Sequence, residues 1–339
     1  MDRTSADSYV YAKACGMVAR SWTGPKTSKL LETRRLHDLW VLLFGGDLPL
    51  YPEGMLALMI ERKAQERSIS DIITLLSAYD SPDPVSLALI SLYDLNNLKA
   101  VSSALSLGQK EMPYIADIGA YTRFNFSAWP DIAQITAGTP ASWYNRVPSA
   151  DEQIQWETRL DHLYYHTLWS AVLSLSSQDR ASCKELISEE IILQNIVWAL
   201  RLKANYGKSA EEILPLLALN DSSLPGADAL VEPARSILQC PVDSFAEWET
   251  WKYRWLLNPH EEGVPWLLDP RWAQMAGDKK LYRLALRSFH RHPFTTGVLV
   301  SFFKIKQLEE YMIQVVAEGM RLDATQDQMN EYMGDPRNA

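Results

Sequence analysis

Asp94-Leu95-Asn96-Asn97-Leu98-Lys99 and Gln194-Asn195-Ile196-Val197-Trp198-Ala199-Leu200-Arg201-Leu202-Lys203 are two versions of one phrase. In each, an Asn precedes a branched apolar residue on a stretch without Gly or Pro, and the two Asn stand 98 residues apart, at 97 and 195. Trp156-Glu157-Thr158 likewise returns as Trp248-Glu249-Thr250, 92 residues on, from 156 to 248. Recurrence at about this distance predicts repeated helical units, an arrangement more often a scaffold than a single-pocket enzyme.

The apolar residues around these phrases keep helical time. Trp156, Leu160, Leu163 and Tyr164 lie at i, i+4, i+7 and i+8, one face of a helix. Trp248, Trp251, Trp255 and Leu256 are read as a second such stripe. Ile305, Leu308, Met312, Val315, Val316 and Gly319 form a third. Alternating strand patterns are scarce, and Gly, which helices disfavour, supplies only 15 of 339 residues. The fold class is therefore all-α.

Three segments pattern as capping boxes, in which a hydroxyl accepts from an early backbone N–H and an acid or amide reaches back. They are Ser68-Ile-Ser-Asp71, Ser209-Ala-Glu-Glu212 and Thr325-Gln-Asp-Gln328. Turns are expected at Gly45 to Pro52, Gly138 to Pro148, Leu224 to Gly226 and Asn258 to Pro265. These breaks divide the chain into three degenerate helical units, 1–110, 111–220 and 221–339, with only the end from Gly334 onward expected to fray.

Composition narrows the function. The formal charge of −9 argues against nucleic acid, whose phosphates are held by clustered Lys and Arg. It also argues against adhesion to anionic lipid, which needs a polybasic patch. The longest apolar runs, Leu39–Phe44 and Gly297–Phe303, fall well short of the roughly 18 residues of a membrane span. The amino terminus has no apolar signal core. Cys15, Cys183 and Cys240 are far apart and in no ligand spacing, which fits a reducing, cytoplasmic compartment. Twelve Trp residues fit cores and protein interfaces.

No chemical motif survives inspection. Gly207-Lys208-Ser209 resembles the end of a phosphate loop, but Leu202 stands where the first Gly is required and a helix precedes it. It reads better as a helix end followed by a cap. His162 and His166 are four apart on a helix, yet no third ligand completes a metal site. His290-Arg-His292-Pro293 reads as a helix-to-loop junction. An Asp-Asp-x-x-Asp motif, which a helical terpene synthase would use to hold magnesium, is absent. No cofactor is expected.

The repeated phrases, with their order and spacing, resemble the C subunit of bacterial and archaeal V/A-type rotary ATPases, the relative of the d subunit of eukaryotic V-ATPases. Tyr9-x-Tyr11-Ala12-Lys13 is similar to the family's opening segment, and Asp94-x-x-Asn97-Leu98-Lys99 to its Asp-x-x-Asn-Leu-Lys motif. Glu157-x-x-Leu160-Asp161-x-x-Tyr164-Tyr165 is similar to its Glu-x-x-Leu-Asp-x-x-Tyr-Tyr helix. Asn195-Ile196, Leu200-Arg201-Leu202-Lys203 and Gly207-x-Ser209-x-Glu211-Glu212-Ile213 resemble its central block. Pro293, Phe302-Phe303-Lys304 and Glu309-x-x-x-Ile313 resemble its closing helix. The chain departs from the pattern at Ile192, where the family has Asp, at Met312, where it has Asn, and at Gln314, where it has a basic residue.

The resemblance implies a funnel of three similar helical units around a pseudo-threefold axis. It implies a non-catalytic coupling component on the cytoplasmic face of the membrane, joining the shaft subunits D and F to the membrane proteolipid rotor ring for proton or sodium transport. It marks Asn97, Lys99, Asp161, Tyr164, Tyr165, Asn195 and Arg201 as structural-motif residues. An Asn inside a helical stripe can satisfy backbone groups of a neighbouring segment, so Asn97 and Asn195 are expected to be buried and bonded to backbone. Two alternatives remain, a cytosolic helical-repeat binding scaffold and a helical enzyme with an unrecognised site.

Overall fold

The computed structural model describes residues 2–46 and 49–333, so the expectation for Gly334 onward lies outside the described residues. The described chain is all-α, with thirteen helices, short 3-10 turns and no strand among them. In chain order the helices are α1 (Arg3–Val18), α2 (Thr27–Glu32), α3 (Leu36–Phe44), α4 (Glu53–Leu76), α5 (Pro84–Ser106), α6 (Ile132–Thr136), α7 (Gln153–Ser174), α8 (Ser177–Tyr206), α9 (Ala210–Ile213), α10 (Ala227–Arg235), α11 (Pro270–Arg291), α12 (Thr296–Arg321) and α13 (Gln326–Met333).

The chain folds into two compact units. One is built from both ends, residues 1–81 with 274–339, and the other is the continuous segment 82–273.

In the discontinuous unit, α12 packs along α4, flanked by α1, α2 and α3. The shared core is largely aliphatic, with Trp40 buried in it. Leu36, Leu39, Trp40 and Leu43 of α3 and Leu56, Ala57 and Ile60 of α4 meet Ile313, Val316 and Ala317 of α12. Alternation of bulky and small residues lets the two long helices approach closely, and full burial of each Leu or Ile contributes about 1.5–3 kcal/mol.

In the continuous unit, α5 packs on α7, α7 on α8, and α8 on α10. The helix boundaries follow from local chemistry. Asp83 caps α5 by accepting from the Ser86 N–H at 2.9 Å, with Pro84 as the first helical residue, a position where its missing N–H is no loss. Ser176 caps α8, which ends at Gly207 in the left-handed conformation, φ 59°. Long non-helical segments cover these helices, and indole N–H groups pin them. Trp169 donates to the Pro225 carbonyl at 3.0 Å, Trp248 to Pro241 at 2.8 Å, Trp251 to Pro233 at 3.2 Å and Trp266 to Asn258 at 3.2 Å.

Two helix readings are corrected. Ser68–Asp71 does not start a helix: it lies inside α4, where Ser68 is buried and Asp71 faces Lys306 of α12. The other two capping boxes are present, at Ser209/Glu212 and at Thr325/Gln328. The Trp248–Leu256 stripe is not an α-helix but a pair of 3-10 turns, Phe245–Trp248 and Arg254–Leu256. A spacing of three is the 3-10 period as well as an α-helical one, and the tryptophan N–H bonds to proline carbonyls favour the irregular path.

Candidate functional site

The repeated phrases place their asparagines identically in the continuous unit. On α5, Asn97 donates its amide to the Ala116 carbonyl and accepts from the Ala116 N–H, both at 2.8 Å. On α8, Asn195 donates to the Ala218 carbonyl at 3.1 Å and accepts from the Ala218 N–H at 2.7 Å. Asn195 also donates to the Leu230 carbonyl of α10 at 3.3 Å. Both asparagines are buried, at 5% and 0% exposure. Each primary amide therefore completes the backbone of a returning segment, 19 residues on in one case and 23 in the other. Only a side chain with a donor and an acceptor on one planar group can do this.

Three residues before Asn97, Asp94 accepts from the Arg123 N–H at 2.6 Å. Burial pushes its carboxyl up to about 6, opposed by the backbone N–H groups of Arg123 and Phe124. Lys99 reaches Asp161 of α7 at 2.5 Å, both about one-fifth exposed. Burial raises the Asp161 carboxyl, and Lys99 works against that rise. One turn further along α7, Tyr164 and Tyr165 are buried with ring centroids 5.0 Å apart, and Tyr165 meets Trp198 of α8 edge-on at 6.3 Å. Burial holds both phenols well above their ordinary pKa, so both stay protonated near neutrality. Arg201 is exposed on α8. Lys99 and Asp161 thus join α5 to α7, Tyr165 meets α8, and Asn97 holds the segment at Ala116 to α5. Asn195 pins the far side of α8, and Arg201 faces outward.

Asp94 and Tyr164 also line a cavity of about 40 Å³ with Arg123, Thr139 and Thr167. That admits a few water-sized solutes and lies far below the roughly 300–1,000 Å³ of a small-molecule site.

The third phrase, on α12, keeps part of this geometry with different residues. Met312 and Gln314 replace the Asn and the basic residue. Glu309, three residues before Met312, does what Asp94 does: it accepts a backbone N–H, from Trp22, at 2.8 Å. Lys306 lies between Glu309 at 2.5 Å and Asp71 of α4 at 3.2 Å, with only 3% of its side chain exposed. Of this buried charge group the sequence motifs mark Glu309 and Asp71 but not Lys306, the cation that joins them. Its signal is two opposite charges three apart within the otherwise apolar stripe of α12.

The residues that invited chemical readings have structural employment. Gly207 is the left-handed cap of α8, Lys208 pairs with Glu212 at 3.2 Å, and the Ser209 hydroxyl accepts from the Glu212 N–H. His162 contacts the Leu216 carbonyl at 3.3 Å. Burial pushes the Cys183 thiol up to about 12, far from thiolate reactivity. Among the described residues no three His, Cys, Asp or Glu side chains are grouped to hold a metal, and no helix is long and apolar enough to cross a membrane.

The family model described as ATP synthase (C/AC39) subunit matches residues 57–332, from within α4 to within α13. The chain belongs to that family. As a C/AC39 member it is an accessory subunit of a rotary ATPase. It is 33% identical over 335 residues to an uncharacterized protein of Treponema pallidum (strain Nichols), covering 99% of this chain and 98% of that protein. It is also similar to two proteins named as the C subunit of an A-type ATP synthase. The Thermococcus gammatolerans protein is 26% identical, with 76% of this chain and 71% of that one covered. The Thermococcus onnurineus protein is 22% identical, with 97% and 90% covered.

Proposed function

We propose that this C/AC39 member is the non-catalytic central-stalk C subunit of a V/A-type rotary ATPase. In this reading three repeat units, 1–110, 111–220 and 221–339, surround a pseudo-threefold axis as a funnel. The funnel receives the shaft subunits D and F and rests on the proteolipid rotor ring at the cytoplasmic face of the membrane, so that torque links ATP turnover to proton or sodium movement. The family match over residues 57–332 carries the proposal.

The physical chemistry supports a mechanical role. A torque-bearing part must resist shear between its helices and their connecting segments. The Asn97 and Asn195 amides lock returning segments to α5 and α8, Lys99–Asp161 ties α5 to α7, and Lys306 ties α12 to α4. Satisfied buried polar networks favour a single geometry over slippage. We assign Asn97, Lys99, Asp161, Tyr164, Tyr165 and Asn195 to this stiffening role and Arg201 to the outer face of the same helix pair. A chain at −9 is held at an anionic membrane by protein contacts rather than by lipid.

The test is to delete or strip the protein from its membranes and measure head ATPase and ion pumping separately. Pumping should be lost while hydrolysis by the catalytic head continues. Pumping that persists without the protein, or a head that stops hydrolysing, overturns the reading in favour of an independent scaffold or an enzyme.

A further inference from the structure

The second half of α11 reverses the charge of the chain. From Lys279 to His292 it carries Lys279, Lys280, Arg283, Arg287, Arg291 and two His without one acidic residue, in a protein of net charge −9. Arg283, Arg287, His290 and Arg291 follow the i, i+4, i+7, i+8 spacing of a single helix face. All four are exposed, and all four line one open groove of about 880 Å³. Its remaining lining is Tyr282 and Leu286 of α11 with Gly24 and Pro25 of the turn that precedes α2.

The groove is built rather than incidental. Gly24 has φ +58°, a conformation that favours glycine, and a Cβ there would stand 2.7 Å from the Tyr282 hydroxyl, so the turn sits close against α11. Arg287 and Arg291 are also used differently from other arginines in the chain. Arg146, Arg235, Arg271 and Arg321 pair with Glu152, Glu232, Asp269 and Glu318 at 2.6, 3.2, 2.7 and 2.6 Å. Among the described residues Arg287 and Arg291 pair with no carboxylate.

We propose that this groove docks an acidic segment of a partner protein, its carboxylates taken by Arg287 and Arg291 and an apolar side chain resting on Leu286 and Tyr282. Guanidinium forks match carboxylates in two-point hydrogen bonds. The concave shape and apolar lining fit an inserted peptide better than a flat lipid surface. The proposal rests on the reading of the chain as an assembly subunit, and its test separates the two.

Full-length wild type, Arg287→Glu/Arg291→Glu and Arg287→Gln/Arg291→Gln are compared, with helical circular dichroism and melting temperature as folding controls. The probe is a short fluorescein-labelled peptide of alternating Glu and Leu, read by anisotropy, beside its Gln–Leu counterpart. Wild type should bind only the Glu peptide, more weakly as salt rises. The Gln variant should bind on the order of tenfold more weakly, and the Glu variant not measurably. In membranes, wild type should co-purify with the rotary complex and the Glu variant should be depleted from it. Equal peptide binding by all three proteins overturns the groove assignment. So does arginine-dependent binding to phosphatidylglycerol vesicles without peptide binding, or arginine-dependent self-association without it. If wild type is itself absent from the complex, the rotary-ATPase reading fails, and the peptide arm alone decides the groove. If wild type and the Glu variant are both retained, the groove proposal fails while the rotary-ATPase reading stands.

Discussion

Asn195 faces Ala218 with a donor and an acceptor at once and reaches Leu230 as well, so its removal strands three backbone groups in a buried place. Asn195→Leu should lower stability by about 1–3 kcal/mol, read from urea unfolding, because unsatisfied buried groups keep their desolvation penalty. An unchanged midpoint would show that the amide is dispensable. A second residue, Glu61 of α4, sets a pH dependence. Burial first, then the neighbouring Glu318 carboxylate, pushes its carboxyl up to about 7 from 4.5, while Arg321 opposes the rise. A folded-state pKa above the unfolded one favours folding at low pH, and that contribution is lost as pH rises from about 4.5 through about 7. Glu61→Gln should therefore remove a fall in stability across that window and gain on the order of 1 kcal/mol at pH 8, after discounting for solvent screening. Parallel stability–pH curves for variant and wild type would exclude this coupling. Sequence carried the Asn pair because the same polar residue recurs inside two apolar helices. It could not carry Glu61, whose shift depends on Glu318, 257 residues further on at 318.

At the scale of the helix, periodicity identified α7 and α12 and the capping chemistry identified the starts of α9 and α13. It misplaced Ser68–Asp71, because a hydroxyl three residues before an acid occurs equally well mid-helix when the acid has a partner on another helix. Here that partner is Lys306. The Lys306 ammonium is flanked by Asp71 and Glu309 at 3.2 and 2.5 Å and is almost fully buried, so it balances two carboxylates between α4 and α12. Lys306→Met keeps the stem volume and deletes the charge. It should destabilise by about 3–5 kcal/mol, the range for breaking a buried pair from one side. The triple replacement Lys306→Met/Asp71→Leu/Glu309→Gln should recover a substantial part of that loss. No buried charge is then left uncompensated, and the new amide oxygen on α12 can still accept from the Trp22 N–H. A single-variant loss below about 1 kcal/mol would mean that the cluster is solvated and does not clamp the two helices.

At the scale of the whole molecule, the all-α class and the family were readable because helical spacing and ordered motifs survive divergence. The pairing of the two chain ends in one unit was not, because nothing local in residues 1–81 announces that their core is completed by α12, which begins only at Thr296. That architecture has a direct consequence. Leu56, Ala57 and Ile60 of α4 are at most 1% exposed and share one core with Ile313, Val316 and Ala317. A chain ending at residue 273 loses that partner surface along with the Lys306 contact to Asp71. By contrast, α5, α7, α8 and α10 lie wholly within 82–273, as do both Asn networks and the indole bonds that hold their covering segments. In a 1–273 fragment, limited proteolysis should remove residues 1–81 quickly and leave a resistant core within 82–273, with circular dichroism losing about the helix of α1 to α4. In the full chain both regions should resist together. Equal protection of 1–81 in fragment and full chain would show that these four helices need no carboxy-terminal partner, and the assignment of both chain ends to one cooperative unit would be wrong.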